Sequence, residues 1–309
     1  MLLYALKRLA LSLPLLLGVS LVTFVLVYFS PSDPAEVALR VNDIVPTVQA
    51  VEEMRAELGL DKPFYLRYGH WLLGVVQGDF GKSYVTGRLV FEEILHALPA
   101  TLALAGAALT MGLVLSLSIG IWCALHEESL GDKVLRGGVF MLSAMPSFWL
   151  GLGLMWLFAL HWDLLPSSGM EEPKSILLPA LTLALVYTPT YTRLIRNTMV
   201  QTLNAPFVLY AKARGLQPWR IARHVFKNSL HLSITALGMS IPKLLAGTVV
   251  IETIFAWPGV GRLCISAIFN RDHPMIQSYV LMMAALFVLF NLLSDLANAL
   301  IDPRLKKAL

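Results

Sequence analysis

The chain has 309 residues, of which 57% are hydrophobic and only 14% charged, against roughly 25% charged in ordinary soluble proteins; its mean hydropathy is +0.68. So apolar a composition excludes a water-exposed globular surface and points to an all-α, polytopic membrane protein. The net charge of +4 does not mark a nucleic-acid binder, because the basic residues lie in loops between apolar runs, where they report membrane orientation.

The first apolar run covers residues 9–29, after Lys7 and Arg8. It is long enough to span a hydrocarbon core of ~30 Å, longer than a signal-peptide core, and followed by "YFSPSDPAE" without a small-residue cleavage site. We read it as a retained first helix. Five further spans follow at about 98–124, 137–160, 176–192, 230–255 and 279–301, six in all. Residues 1–97 then comprise the first helix and a long outer insertion, and 98–309 a five-helix core. In the insertion, "TVQAVEEMRAELGL" is helical with Thr47 as its cap, and the aromatic "DKPFYLRYGHWLLGVVQGDF" suits the membrane surface. Pro146, Pro179, Pro189 and Pro242 fall within spans and mark kinks or irregular turns.

Orientation follows from Lys and Arg. With the N-terminus inside, the inner pieces 1–8, 125–136, 193–229 and 302–309 hold Lys7, Arg8, Lys133, Arg136, Arg193, Arg196, Lys212, Arg214, Arg220, Arg223, Lys227, Arg304, Lys306 and Lys307. Their acids are Glu127, Glu128, Asp132 and Asp302. In the outer pieces acids outnumber bases, so both termini are expected on the cytoplasmic side. Cys123 and Cys264 then lie on opposite sides, too far apart for a disulfide.

The densest basic stretch is "YAKARGLQPWRIARHVFKNSL", residues 210–230. It reads as two short helices around a turn. Gly215 closes the first as a C′ glycine, and Pro218 opens the second. There Trp219, Ala222, Phe226 and Leu230 share one face, and Arg220, Arg223, His224 and Lys227 another. Charge and periodicity leave three readings open: a helix on anionic lipid, a solvated loop, or a docking element for a cytoplasmic partner.

Other patterns carry less. "GKS" at 81–83 has Val76 where a P-loop needs glycine, and "HEESL" lacks the second histidine of H-E-x-x-H. His70, His96, His161 and His273 share the outer side without a ligand spacing, so any metal site is left unknown. The span methionines read as packing. Ionisable groups inside spans are functional candidates: Lys243, Glu252 and Asp295. Lys243 and Asp295 could pair, or Asp295 could meet another subunit. Glu252 could line the pathway mouth or brace the loop after it, and Trp257 suits the interfacial belt.

"ARGL" followed by "ARHVFKNSL" resembles the cytoplasmic motif of ABC importer permeases, in the form of the peptide/nickel family, close to A-R-A-K-G-L and then R-H-x-x-x-N. The general E-A-A-x-x-x-G signature is degenerate here: Gly215 and Ala211 match it, while Leu209 and Tyr210 stand at its Glu and first Ala. The resemblance runs the whole chain, through "LGLDKPFYLRYGHWL", "GDFGKSY", "LPATLALAGAAL", "MPSFWLGL", "TRLIRNTM", "IETIFAWPGVGRL" and "AIFNRDHPMIQ". The last two, with "LAGAAL", look nearest the nickel branch. The resemblance implies a type I ABC importer permease fold and a non-enzymatic permease subunit in a bacterial inner membrane. Segment 205–229 would be the coupling element. In it Ala211, Gly215 and Leu216 would touch the ATPase, and Arg214 and Arg220 would supply charge complementarity. It also implies a homologous second permease, two ATPase subunits and an external binding protein that docks on the outer face. Lys243, Glu252, Trp257 and Asp295 remain candidates for the pathway or outer gate, and no cofactor is expected. The substrate would be nickel, free or chelated; the alternatives are di- or oligopeptides in the same role, or an ion-gradient-driven secondary transporter. An intramembrane hydrolase would need a catalytic constellation that the spans do not display.

Overall fold

The computed structural model describes residues 2–30, 33–41, 43–238 and 241–301. Among these the chain is helical nearly throughout, and extended pairing is limited to a bridge between Lys82 and Leu89. The helices in chain order are α1 (Leu2–Tyr28), α2 (Pro34–Val41), α3 (Val48–Glu57), α4 (Phe64–Val76), α5 (Val90–Leu125), α6 (Leu130–Ala144) and α7 (Ser147–Met155). After these come α8 (Leu177–Leu203), α9 (Pro206–Ala213), α10 (Pro218–Gly238), α11 (Ile241–Ile254), α12 (Val260–Phe269) and α13 (His273–Ile301).

Among the described residues α1, α5, α8 and α13 each hold a stretch long and apolar enough to cross a membrane. The expected span at 137–160 is broken instead: α6 and α7, with the π-helical turn Trp156–His161, qualify only together and are bent by 108°. Pro146 causes the break. It has no N–H to donate, and it forces the preceding Met145 into extended backbone (φ −83°, ψ 128°). Proline did not act alike everywhere. Pro179 falls in the first turn of α8, and α8 runs on through Pro189. The expected span at 230–255 is shared between α10 and α11, and residues 239–240 between them lie outside the described residues; so do Asp302, Arg304, Lys306 and Lys307.

The chain forms two compact units. Among the described residues the first comprises Leu102–Trp257 and residues 290–301, and α8 is its axis. Helix α5 lies along α8 in the same direction, matched every fourth residue. Gly112 meets Ala184, the Ser116 hydroxyl donates to the Thr188 carbonyl at 3.4 Å, and Gly120 meets Thr192 and Ile195. Small residues at this spacing let two backbones approach closely inside a membrane. Helix α11 runs antiparallel to α8: the Tyr187 hydroxyl donates to the Lys243 carbonyl at 2.8 Å, and Gly247 packs on Leu183 and Tyr187. Gly151 of α7 is enclosed by Thr182, Ile254 and Phe255.

The second unit comprises Leu2–Thr101 and Pro258–Leu289. The expected surface helix α4 does not stand free: it packs on α1. Phe24 meets Phe64 and Tyr68 edge-on at 5.4 and 5.3 Å, and the Ser20 and Tyr68 hydroxyls are 2.8 Å apart. Thr47 caps α3 as expected, accepting from Ala50 N–H. Val90, Ile94, Val260, Ala267 and Met275 form the buried core between α5, α12 and α13.

Candidate functional site

The basic segment 205–229 is a helix, a tight turn and a second helix, all packed on α8. Helix α9 ends in a Schellman motif. Leu216 N–H donates to the Ala211 carbonyl at 3.1 Å, Gly215 N–H to that of Lys212 at 2.9 Å, and Gly215 has φ +73°. Only glycine takes that conformation without cost. Pro218 then opens α10, where its missing N–H is not needed.

Val208 of α9 and Ile221 and Val225 of α10 are buried against Tyr191, Ile195 and Met199 of α8 and Ala124 of α5, with Ala211 and Leu216 half-buried at the edge. The face expected for α10 is corrected in part: Phe226 packs on this core as expected, and the Leu230 side chain lies outside the described residues. Ile221 and Val225 lead that face, whereas Trp219 is 58% exposed and stacks under Arg220. Leu209, Tyr210, Lys212, Arg214, Gly215, Trp219, Arg220 and Arg223 together make an exposed ridge, mixed apolar and basic. Such a surface resembles the centre of a protein interface, where aromatic and arginine side chains concentrate.

A buried ion pair holds the base of this ridge. Asp132, fully buried in the first turn of α6, accepts from Arg196 Nε at 3.0 Å and Nη2 at 2.9 Å. It is also 3.3 Å from Arg136 Nε. Arg196 also lies 3.9 Å from Glu127. The hydrogen bonds from Arg196 hold the Asp132 carboxyl below the usual carboxylate range, and Asp132 in turn raises the Arg196 guanidinium. Sequence reading had counted both residues only as loop charges, because no spacing links position 132 to 196. The helix that leads into the ridge is thus clamped to the α5–α6 turn by a two-pronged, charge-assisted contact.

Residues 116–307 match the family described as binding-protein-dependent transport system inner membrane component, and residues 1–105 match its N-terminal companion. The chain belongs to this family. The permease is 38% identical to the metal-staphylopine import system permease protein CntB of Staphylococcus aureus, over 98% of both chains. It is 32% identical to the dipeptide transport system permease protein DppB of Escherichia coli, over 99% of both. The inward-facing MetNI methionine ABC transporter shares its fold with a TM-score of 0.59 and 14% identity, over 68% of this chain and 96% of that one. The chain is therefore a non-catalytic membrane permease subunit of an ABC importer.

Of the other candidate residues of the permease, the structure joins Glu252 to Trp257. Lys243 is exposed at the start of α11, and Asp295 lies on α13. Glu252 is fully buried in α11, as a brace would be. Its carbonyl accepts from Trp257 N–H at 2.8 Å, closing α11 with Ala256 in the left-handed region at φ +49°. Trp257 is only 2% exposed, so it does not belong to an interfacial belt; it is turned into the protein. Cys123 and Cys264 are both buried free thiols.

On the second unit, "GKS" has a structural use that sequence reading missed. The buried Asp272 carboxylate accepts from the Ser83 hydroxyl, from Tyr84 N–H at 3.2 Å and from Met275 N–H at 3.4 Å. One carboxylate thus caps α13 and pins the 78–89 turn to the α12–α13 corner. Burial raises the neighbouring Tyr84 phenol to about 12 and lowers the His273 imidazole. Both face a cavity of about 580 Å³, with Arg55, Arg67, His70 and Trp71 in its wall. Among the described residues, no three His, Cys, Asp or Glu side chains are placed to share a metal ion.

Proposed function

We propose that this chain forms, with a homologous second permease, the translocation pathway of an importer for chelated or free nickel, and that segment 205–229 couples it to ATP hydrolysis. Two ATPase subunits and an external binding protein complete the assembly. Both termini are cytoplasmic, and the outer insertion, residues 30–97, receives the binding protein together with the outer loop "FAWPGVGR"; residues 1–97 are the first helix and that insertion, and 98–309 the core. The observation that supports the coupling reading is the exposed ridge at 209–223, held rigid by Gly215 and by the α8 packing beneath it. A ridge so braced transmits a push from a partner to α8 rather than absorbing it.

For the substrate, support comes from similarity to the metal-staphylopine permease, whose cargo is named as a metal complex. Import of short peptides is the second reading, supported by the dipeptide permease. The deciding experiment is nickel accumulation in metal-limited cells with the gene deleted and then restored, beside uptake of a labelled dipeptide. Nickel loss repaired by the gene supports the first reading; loss of dipeptide uptake alone replaces it with the second.

A further inference from the structure

A cavity of about 340 Å³ opens between α6 and α8, beside Cys123 of α5. That size is within the roughly 300–1,000 Å³ of small-molecule sites. Its polar wall holds Arg136, Ser143, Thr192, Arg193, Arg196 and Asn197, with no carboxylate in the lining. Arg196 is committed to Asp132. The others have capacity to spare. Arg193 is exposed and makes no ion pair or hydrogen bond among the described residues. Arg136 donates from Nη2 to Glu128 at 3.4 Å, and its buried Nε lies 3.3 Å from Asp132 without the alignment of a hydrogen bond.

Thr192 is the most telling. It is 3% exposed and its hydroxyl has no partner. Thr182, Thr188, Thr198 and Thr202 of the same helix each donate to the carbonyl four residues back. A buried hydroxyl left without a partner is costly unless a ligand supplies one.

The unpaired Arg193 guanidinium and the Thr192 hydroxyl, on one cavity wall, call for an anion with acceptor oxygens. Val139 and Phe140 line the same cavity, and Phe140 is 71% exposed; an anion with an apolar tail would use both. Basic pockets between helices at the cytoplasmic membrane surface take phospholipid headgroups on these grounds. We infer that this cavity is a binding site for an anionic phospholipid. Its phosphodiester meets Arg193, Arg136 and the Thr192 hydroxyl, and an acyl chain lies along Phe140. The inner-leaflet position rests on the orientation proposed above.

The test is made on the whole transporter complex, exchanged into mixed micelles of phosphatidylglycerol and phosphatidylcholine, with bound lipid counted by mass spectrometry. The wild type is expected to retain phosphatidylglycerol in preference to phosphatidylcholine. Arg193→Gln should weaken retention about tenfold, as loss of one charge-assisted bond does, and the near-isosteric Thr192→Val severalfold. Equal retention of both lipids, or wild-type retention in both variants, overturns the site. So does displacement of the lipid by inorganic phosphate alone, which would make the ligand a soluble anion. Labelling of Asn197→Cys by an impermeant maleimide reads the orientation independently. Reaction from the outer face would overturn the leaflet, while the lipid counts still decide the pocket.

Discussion

At the residue scale, Gly215 separates fold from function. A side chain there meets nothing within 4 Å in the isolated chain, although φ is +73°. Gly215→Trp is expected to cost about 1 kcal/mol for the left-handed backbone and still reach the membrane. It should nevertheless abolish transport, because the indole projects from the ridge into the space a partner must fill. Uptake and membrane abundance measured together check this; normal uptake at normal abundance would end the coupling assignment. Asp132 behaves oppositely, since its role is inside the protein. Its folded-state pKa is depressed, so its contribution is complete above the ordinary carboxylate value of 3.8 and fades as pH falls through the lower folded value. Asp132→Asn should lower stability at neutral pH by about 3 kcal/mol, the order for breaking a buried pair, and flatten the acid limb. Melting curves in detergent from about pH 3 to 7 read both effects.

At the element scale, the contact of α5 with α8 depends on small residues in register. A Cβ at Gly120 would lie 3.0 Å from the Ile195 side chain and 3.1 Å from the Thr192 carbonyl. Gly120→Leu should therefore force the helices apart, at about 1–3 kcal/mol, and show as reduced membrane accumulation. Gly106, where nothing lies within 4 Å, is the control position. The turn at 78–89 makes a second element-scale case. Asp272→Ala removes the acceptor shared by Ser83, Tyr84 and Met275, whereas Asp272→Asn keeps the Oδ1 that accepts from Tyr84 and Met275 N–H. The first should open the turn to protease added from the outside, and the second should do so far less. Equal cleavage of both would mean Asp272 Oδ1 is not the hub.

At the scale of the whole molecule, a permease without an ATPase motif depends on another chain for energy. Affinity purification is expected to bring down ATPase subunits with the wild type and to lose them with Arg214→Glu combined with Arg220→Glu. Reversal of rim charges mainly slows association and changes its salt dependence; recovery of the complex at raised ionic strength would mark the contact as electrostatic. A wild-type chain that imports substrate without any ATPase would instead be a secondary transporter.

Much of this was legible in sequence because the bilayer imposes simple local rules. Apolar length gave the helical class, and "ARGLQPW" carried its own turn: a glycine able to take positive φ and a proline suited to the next helix start. Contacts between distant positions were not legible. Nothing near Asp132 announces Arg196, and nothing in "GKS" announces Asp272, since both pairs exist only after helices pack. Trp219 and Trp257 show the same limit. Each is a large aromatic at a membrane-facing composition, yet one is exposed beside Arg220 and the other is buried. Local sequence sets which backbone a segment can adopt; the helix beside it decides which face is covered.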